Sequence, residues 1–199
     1  MGLFLKDMDL KGKTSLITGA TKGIGRGTAI ALAQAGSNII AVGRNQNELD
    51  SLSKLIKKLN VKYTSFKSDV NNYYKMKDFI SKLKQLDILV NNAGTNIPEP
   101  FLKVKKKSLE TILNVNTKAV FNIAQLCANQ IIKLKKKGGS IINISSIFGV
   151  VAGQDRTVYS MTKFGVEGLT RGMAIDLAKY NIRVNSVCPN IVLTPRTKK

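Results

Sequence analysis

Tyr159-Ser160-Met161-Thr162-Lys163 sets a phenol and an ammonium four residues apart. On a helix, positions i and i+4 share a face, so the two groups would stand side by side. A cation near a phenol favours the phenolate and lowers the phenol pKa from about 10. Each unit of lowering corresponds to about 1.4 kcal/mol. A tyrosine so placed can exchange a proton near neutral pH. The bland reading of the same spacing is an incidental pair on a solvated helix. The chain has no histidine, the commonest general base and metal ligand. Acid–base chemistry therefore falls to Tyr, Lys, Asp, Glu or Cys, and no metal site is expected.

A second group of residues has the chemistry of an anion cradle. Thr18-Gly19-Ala20-Thr21-Lys22-Gly23-Ile24-Gly25 follows an apolar run and opens a helical pattern. Glycines there let backbone N–H groups approach a pyrophosphate, and a helix N-terminus favours the anion. A tight strand–helix turn without a ligand is the plainer alternative. The next strand ends Ala41-Val42-Gly43-Arg44-Asn45, without the acid that would bond the ribose 2′-hydroxyl of NAD. Arg44 can meet a 2′-phosphate as a planar fork, with Lys22 as a second charge, so the cofactor expected is NADP(H). In Ser68-Asp69-Val70, the aspartate suits either an adenine amino group or a turn cap. Asn91-Asn92-Ala93-Gly94 ends the fourth strand, where open α/β sheets bind ligands, although Asn and Gly also make plain turns.

These residues need a scaffold, and the chain alternates strand and helix patterns, which predicts βαβ units and a parallel sheet. Strands are expected at residues 14–17, 38–42, 61–66, 86–90, 140–144 and 182–187. Helices are expected at 24–35, 48–59, 73–83, 109–134 and 158–179. With 199 residues, one domain spanning 1–199 is expected, with ample length for a core. No apolar run reaches the ~18 residues of a membrane span, and the start lacks a signal-peptide core. A cytoplasmic protein is expected, with Cys127 and Cys188 as buried thiols. The net charge is +20, but the lysines are scattered, with short runs at 105–107 and 135–137 where helices begin or end. Charge alone specifies no site, so neither a nucleic-acid nor a membrane partner is expected.

Taken together and in this order, the motifs resemble those of the short-chain dehydrogenase/reductase family, from about Lys11 to Thr197. The resemblance implies a doubly wound Rossmann fold with strand order 3-2-1-4-5-6. It implies that Gly19, Gly23 and Gly25 hold the pyrophosphate, with Thr21, Lys22 and Ile24 of the same loop also binding the cofactor. Asp69 and Val70 would meet the adenine, and Asn92, Ala93 and Gly94 would floor the cofactor site. Asn116 matches a helix asparagine that supports a proton-relay water. The second serine of Ser145-Ser146 matches the catalytic one, completing an Asn116, Ser146, Tyr159, Lys163 tetrad. Ser146 would bond the substrate oxygen, Tyr159 would move the proton, and Lys163 would hold the nicotinamide ribose. Pro189 and Thr194 match residues near the carboxamide, although Asn190 replaces the family's glycine after Pro189. The implied reaction is hydride transfer between a carbonyl or alcohol carbon and the nicotinamide. The implied substrate is a small carbonyl or alcohol compound, an acyl thioester or a sugar-type ketone among the choices. A homodimer or homotetramer is implied as well.

The family continues past this point with a substrate-covering helix pair and a seventh strand, whereas this chain ends Arg196-Thr197-Lys198-Lys199. The expectation is a shortened member whose sixth strand is a sheet edge and which binds cofactor better than it turns over. The rival readings are an inactive cofactor-binding protein and a basic interaction protein on a borrowed fold.

Overall fold

The computed structural model describes residues 8–134 and 138–193. Six parallel strands form one sheet in the order β3-β2-β1-β4-β5-β6. They are β1 (Thr14–Thr18), β2 (Asn38–Gly43), β3 (Tyr63–Lys67), β4 (Ile88–Asn91), β5 (Gly139–Ile144) and β6 (Ile182–Val187). The helices between them are α1 (Gly23–Gln34), α2 (Gln46–Ile56), α3 (Tyr73–Ser81), α4 (Lys106–Leu113), α5 (Ala119–Lys133) and α6 (Thr157–Leu177). The expected strand order is the one found.

Period-2 alternation splits the strands between two cores. Leu16, Ile40, Leu89 and Ile141 face a cluster with Met76 and Ile80 of α3 and Ile123 and Cys127 of α5. Ile17, Ile39, Ala41 and Val90 face the opposite cluster, with Ala29 and Ala33 of α1 and Leu49, Leu52 and Ile56 of α2. Every residue of β1 is buried, as a central strand covered on both sides must be. β1 pairs with β2 on one side and with β4 on the other. Chain connections depart in opposite directions from that point, which opens a crevice at the carboxyl ends of β1 and β4.

Element ends differ from the sequence expectation where a turn takes residues from a periodic pattern. Asn60 adopts a left-handed φ of 54°, so α2 gives way to a 3-10 turn at Lys57–Leu59 and β3 starts at Tyr63 rather than 61. The expected helix 109–134 starts earlier, at Lys106, and is interrupted by a π turn at Asn114–Lys118. Cys127 is fully buried, whereas Cys188 is half-buried; both are free thiols, and burial pushes the Cys127 thiol up. The lysine run at 105–107 starts α4, and that at 135–137 lies outside the described residues.

Candidate active site

The glycine loop connects β1 to α1. Gly19 and Gly23 have φ of 62° and 51°, left-handed values that a side chain disfavours. Gly25 is required by space instead. A Cβ there would overlap the Gly19 carbonyl oxygen and Asn92 Nδ2. In an ordinary helix, glycine to alanine stabilises by about 1 kcal/mol. At this contact the sign reverses, and Gly25→Ala is expected to lose about 1–3 kcal/mol of stability and to weaken cofactor binding. Urea unfolding and a nucleotide titration read the two effects. A stabilised Gly25→Ala protein would show that the loop is not packed this closely.

The loop is held from behind by the fourth strand's motif. Asn92 Nδ2 donates to the carbonyls of Thr18 at 3.0 Å and Gly19 at 3.1 Å. Thr18 Oγ1 accepts from the backbone N–H groups of Asn92 and Ala93, each at 3.0 Å. Asn92 thus shapes the loop with its side chain while also lining the cleft. At the N-terminus of α1, Lys22 makes no side-chain cap. By contrast, Asn45 caps α2 and Asn72 caps α3. The first-turn N–H groups of α1 lack a side-chain acceptor and suit an incoming anion.

At the outer end of the cleft, the two cations expected to read a phosphate both stand beside carboxylates. Lys22 Nζ is 2.6 Å from Glu48 Oε1, and Arg44 Nη1 is 3.7 Å from Asp69 Oδ2. The Lys22 ammonium holds the Glu48 carboxyl below its ordinary range. Asp69 Oδ1 accepts from Asn71 N at 2.9 Å, so Asp69 makes a turn as well as lining the cleft beside Val70.

The other end of the cleft is built by β5 and α6. Lys163 is buried, and its Nζ donates to the Ile144 carbonyl at 2.8 Å. Burial pushes the Lys163 ammonium down to about 8, against the opposing pull of the Cys188 sulfur and the Glu167 carboxylate. Lys163 Nζ lies 5.7 Å from the centre of the Tyr159 ring, and Phe148 packs edge-on against that ring at 6.2 Å. Ser146 Oγ accepts from Phe148 N at 3.2 Å, which uses a lone pair and leaves its O–H a donor. Ser145 Oγ instead donates inward to the Lys163 carbonyl at 3.4 Å.

Asn116 sits in the π turn and is fully buried. Its Oδ1 accepts from Thr95 N at 2.8 Å. Its Nδ2 donates to Thr95 O at 2.9 Å and to Thr162 Oγ1 at 3.2 Å. Thr162 Oγ1 in turn donates to the Tyr159 carbonyl at 2.7 Å. The side chain therefore ties the loop after β4 to the backbone of α6, behind Tyr159. π turns of this kind recur at functional sites because they re-aim one residue within a long helix.

One cleft of about 1520 Å³ is lined by Gly19, Thr21, Lys22, Gly23 and Ile24 at the loop and by Arg44, Asp69 and Val70 at the outer end. Asn92, Ala93 and Gly94 line its middle, and Ser146, Tyr159, Lys163 and Pro189 its inner end. Gly25 and Asn116 are absent from that lining; they shape it from behind. Thr194 lies outside the described residues. The positive-φ non-glycines among the described residues are Asn60, Asp155 and Asn181, so Asn190, in the place of the family's glycine, does not adopt a left-handed backbone. The sequence reading passed over Glu48, Phe148, Thr162 and Arg156. For Arg156, the available signal was its spacing of three residues from Tyr159 at a helix start.

The family model for short chain dehydrogenases matches residues 13–199. The chain is similar to a 3-oxoacyl-[acyl-carrier-protein] reductase of Thermotoga maritima, 38% identical over 96% of this chain and 79% of that protein. It is similar to the L-xylulose reductase of Mus musculus, 37% identical over 95% of this chain and 75% of that protein. A solved structure with bound NADP, described as a candidate 2-deoxy-D-gluconate 3-dehydrogenase of Agrobacterium tumefaciens, matches with a TM-score of 0.90. It is 28% identical, over 97% of this chain and 77% of that one. By fold, by the match along nearly its whole length and by these likenesses, the chain belongs to the short-chain dehydrogenase family of oxidoreductases.

Proposed function

We propose that this protein is an NADP(H)-dependent oxidoreductase that interconverts a carbonyl and a secondary alcohol. The observation that carries this reading is the single cleft joining an uncapped, glycine-lined helix N-terminus to the Tyr159–Lys163 pair. The residues fit an elongated dinucleotide: N–H donors and close glycines for the pyrophosphate, and Arg44 and Lys22 at the end where a 2′-phosphate would lie. The NADP-bound relative of similar fold supports the same choice.

When bound, NADPH supplies the hydride to the carbonyl carbon. Ser146 donates a hydrogen bond to the substrate oxygen. Tyr159 gives that oxygen a proton in reduction and takes one in oxidation. Lys163 would hold the ribose hydroxyls of a bound nucleotide, and its ammonium lies over the Tyr159 ring. Asn116 is a positioning residue through Thr95 and Thr162. The half-exposed Phe121 and Phe164 of α5 and α6, beside an apolar groove lined by Phe121, Val166 and Leu169, suit the dimer that the family resemblance implies.

The test is a pair of binding titrations. NADPH is expected to bind more tightly than NADH, and Arg44→Asp to erase the difference. Loss of a charge-assisted fork corresponds to about 10–100-fold in affinity. Equal affinities for the two nucleotides in the unmodified protein would refute the assignment. Glu48→Gln should shift the ratio the other way, toward NADPH, by up to about fivefold. It frees Lys22 and removes a negative charge, and an exposed ion pair carries no more than that.

A further inference from the structure

Beside Tyr159 the cleft carries a cation that the roles above leave unused. Arg156 is the N-cap residue of α6, three residues before Tyr159 and seven before Lys163. It lines the cleft together with Gln154, Asn96 and Phe148. The residue is half-buried, and it makes no side-chain cap for α6. Its Nη1 donates to the carbonyl of the neighbouring Asp155 at 3.3 Å. That carbonyl also accepts from Glu99 N at 3.2 Å, so the loops after β4 and β5 are tied together at this point. Asp155 holds a left-handed φ of 56° in making the tie.

Two further observations bear on what Arg156 faces. The first is Asn96, in the loop after β4, whose side-chain oxygen is buried without a hydrogen-bond partner. A buried acceptor without a donor is costly, and such an atom in a cleft wall suits a donor on a ligand. The second is the distribution of charge along the cleft. The carboxylates lining it, Glu48 and Asp69, both stand at the outer end, beside Lys22 and Arg44. At the inner end, the charged side chains in the lining among the described residues are Arg156 and Lys163. Lys163 is buried with its Nζ on the Ile144 carbonyl, which leaves Arg156, whose Nη1 rests on the Asp155 carbonyl, as the planar cation of that part of the lining.

We propose that Arg156 is a specificity-determining residue, and that the substrate is a polyhydroxy carbonyl compound bearing an anionic group, a carboxylate or a phosphate. The guanidinium takes the anion as a fork, and Asn96 accepts from a substrate hydroxyl. The inference rests on the oxidoreductase reading above and names the substrate class of that same site. The chemistry balances without new reagents. The carbonyl carbon gains hydride from NADPH, its oxygen gains a proton, and the anionic group passes through unchanged. The net charge of +20 raises the local concentration of any anion, but only a fork at Arg156 distinguishes one end of a substrate from the other.

The experiment is calorimetric titration of the chain, first with NADP+ and then, in the NADP+ complex, with 5-keto-gluconate, L-sorbose 6-phosphate and L-sorbose. These share a ketone and a hydroxyl pattern and differ at one terminal carbon. The oxidised cofactor prevents reduction, so binding is read without turnover. At least one of the two anions is expected to bind about tenfold or more tightly than sorbose, and the tighter one identifies the group. Arg156→Gln should bring both anions to the sorbose level, with NADP+ affinity as the folding control. Arg156→Lys should restore part of the difference. Asn96→Leu should weaken all three by a similar factor, since it acts on a shared hydroxyl. Equal binding of the three ligands, binding of none, or an anion preference that survives Arg156→Gln overturns the proposal. Absence of NADP+ binding in the first titration refutes the oxidoreductase reading instead, so the two failures are distinguishable.

Discussion

Replacing Tyr159 with phenylalanine is expected to lower turnover by about 10²–10⁴-fold, the usual contribution of a positioned proton donor, with NADPH affinity kept within about threefold. The substitution keeps the ring that packs edge-on against Phe148 and lies over Lys163, and deletes only the hydroxyl. Thr162 bonds the Tyr159 carbonyl, not its side chain, so the link from Asn116 through Thr162 to α6 is untouched. A loss confined to kcat would place the hydroxyl in the transition state rather than in ground-state binding. The measurement is NADPH oxidation over a panel of carbonyl substrates, run beside a nucleotide titration. A Tyr159→Phe protein as active as its parent would overturn the acid–base assignment.

Lys163→Met should abolish turnover and yet make the protein more stable at pH 7. The Lys163 ammonium is buried, and its pKa falls from the ordinary 10.5 to about 8, chiefly because burial penalises the charged form. The folded state therefore holds the proton less tightly than the unfolded chain does. Below pH 8 both states are protonated, and the folded state carries the full cost, about 3 kcal/mol. Between about 8 and 10.5 the unfolded chain binds more protons, so this contribution to stability rises with pH and the cost is gone above 10.5. Methionine has similar length and no charge, but it forfeits the bond to the Ile144 carbonyl, a loss of about 1 kcal/mol. The expected net gain at pH 7 is about 1–2 kcal/mol, read by urea unfolding at pH 7 and pH 10. A variant less stable than its parent at pH 7 would show that the ammonium is better solvated, or better paired, than its burial implies. The coexistence of higher stability and lost activity is the expected mark of a group held in an unfavourable state for its chemistry.

Much of the site was legible in the chain because its constraints are local. Glycine at Gly19 and Gly23 is read from the turn it must make, and the βα alternation around it sets which end of a strand carries the motif. Tyr159 and Lys163 share a helical face by spacing alone, and the strand order followed from the family that the ordered motifs resemble. Where the reading was blurred, the cause was also local. An αL residue at Asn60 ends a helical run that apolar periodicity continues, and a π turn at Asn114–Lys118 leaves that periodicity nearly unbroken.

What the sequence by itself determined was therefore the fold, the glycine loop and the shared helical face of Tyr159 and Lys163, the pair proposed to move the proton. Only the tertiary structure decided what each of these residues is joined to. Lys22 meets Glu48, Asn92 braces the glycine loop, Asn116 faces inward to Thr95 and Thr162, and Lys163 reaches the Ile144 carbonyl. Arg156 enters the same cleft from the start of α6, three residues before the tyrosine. The physical reason is the range of the interactions. A turn or a helical face is set by neighbours a few residues away, whereas Asn92 lies 74 residues from Thr18 and Asn116 lies 46 from Thr162. Such pairs come within hydrogen-bond reach only after β1 and β4 have paired and α6 has packed against the sheet.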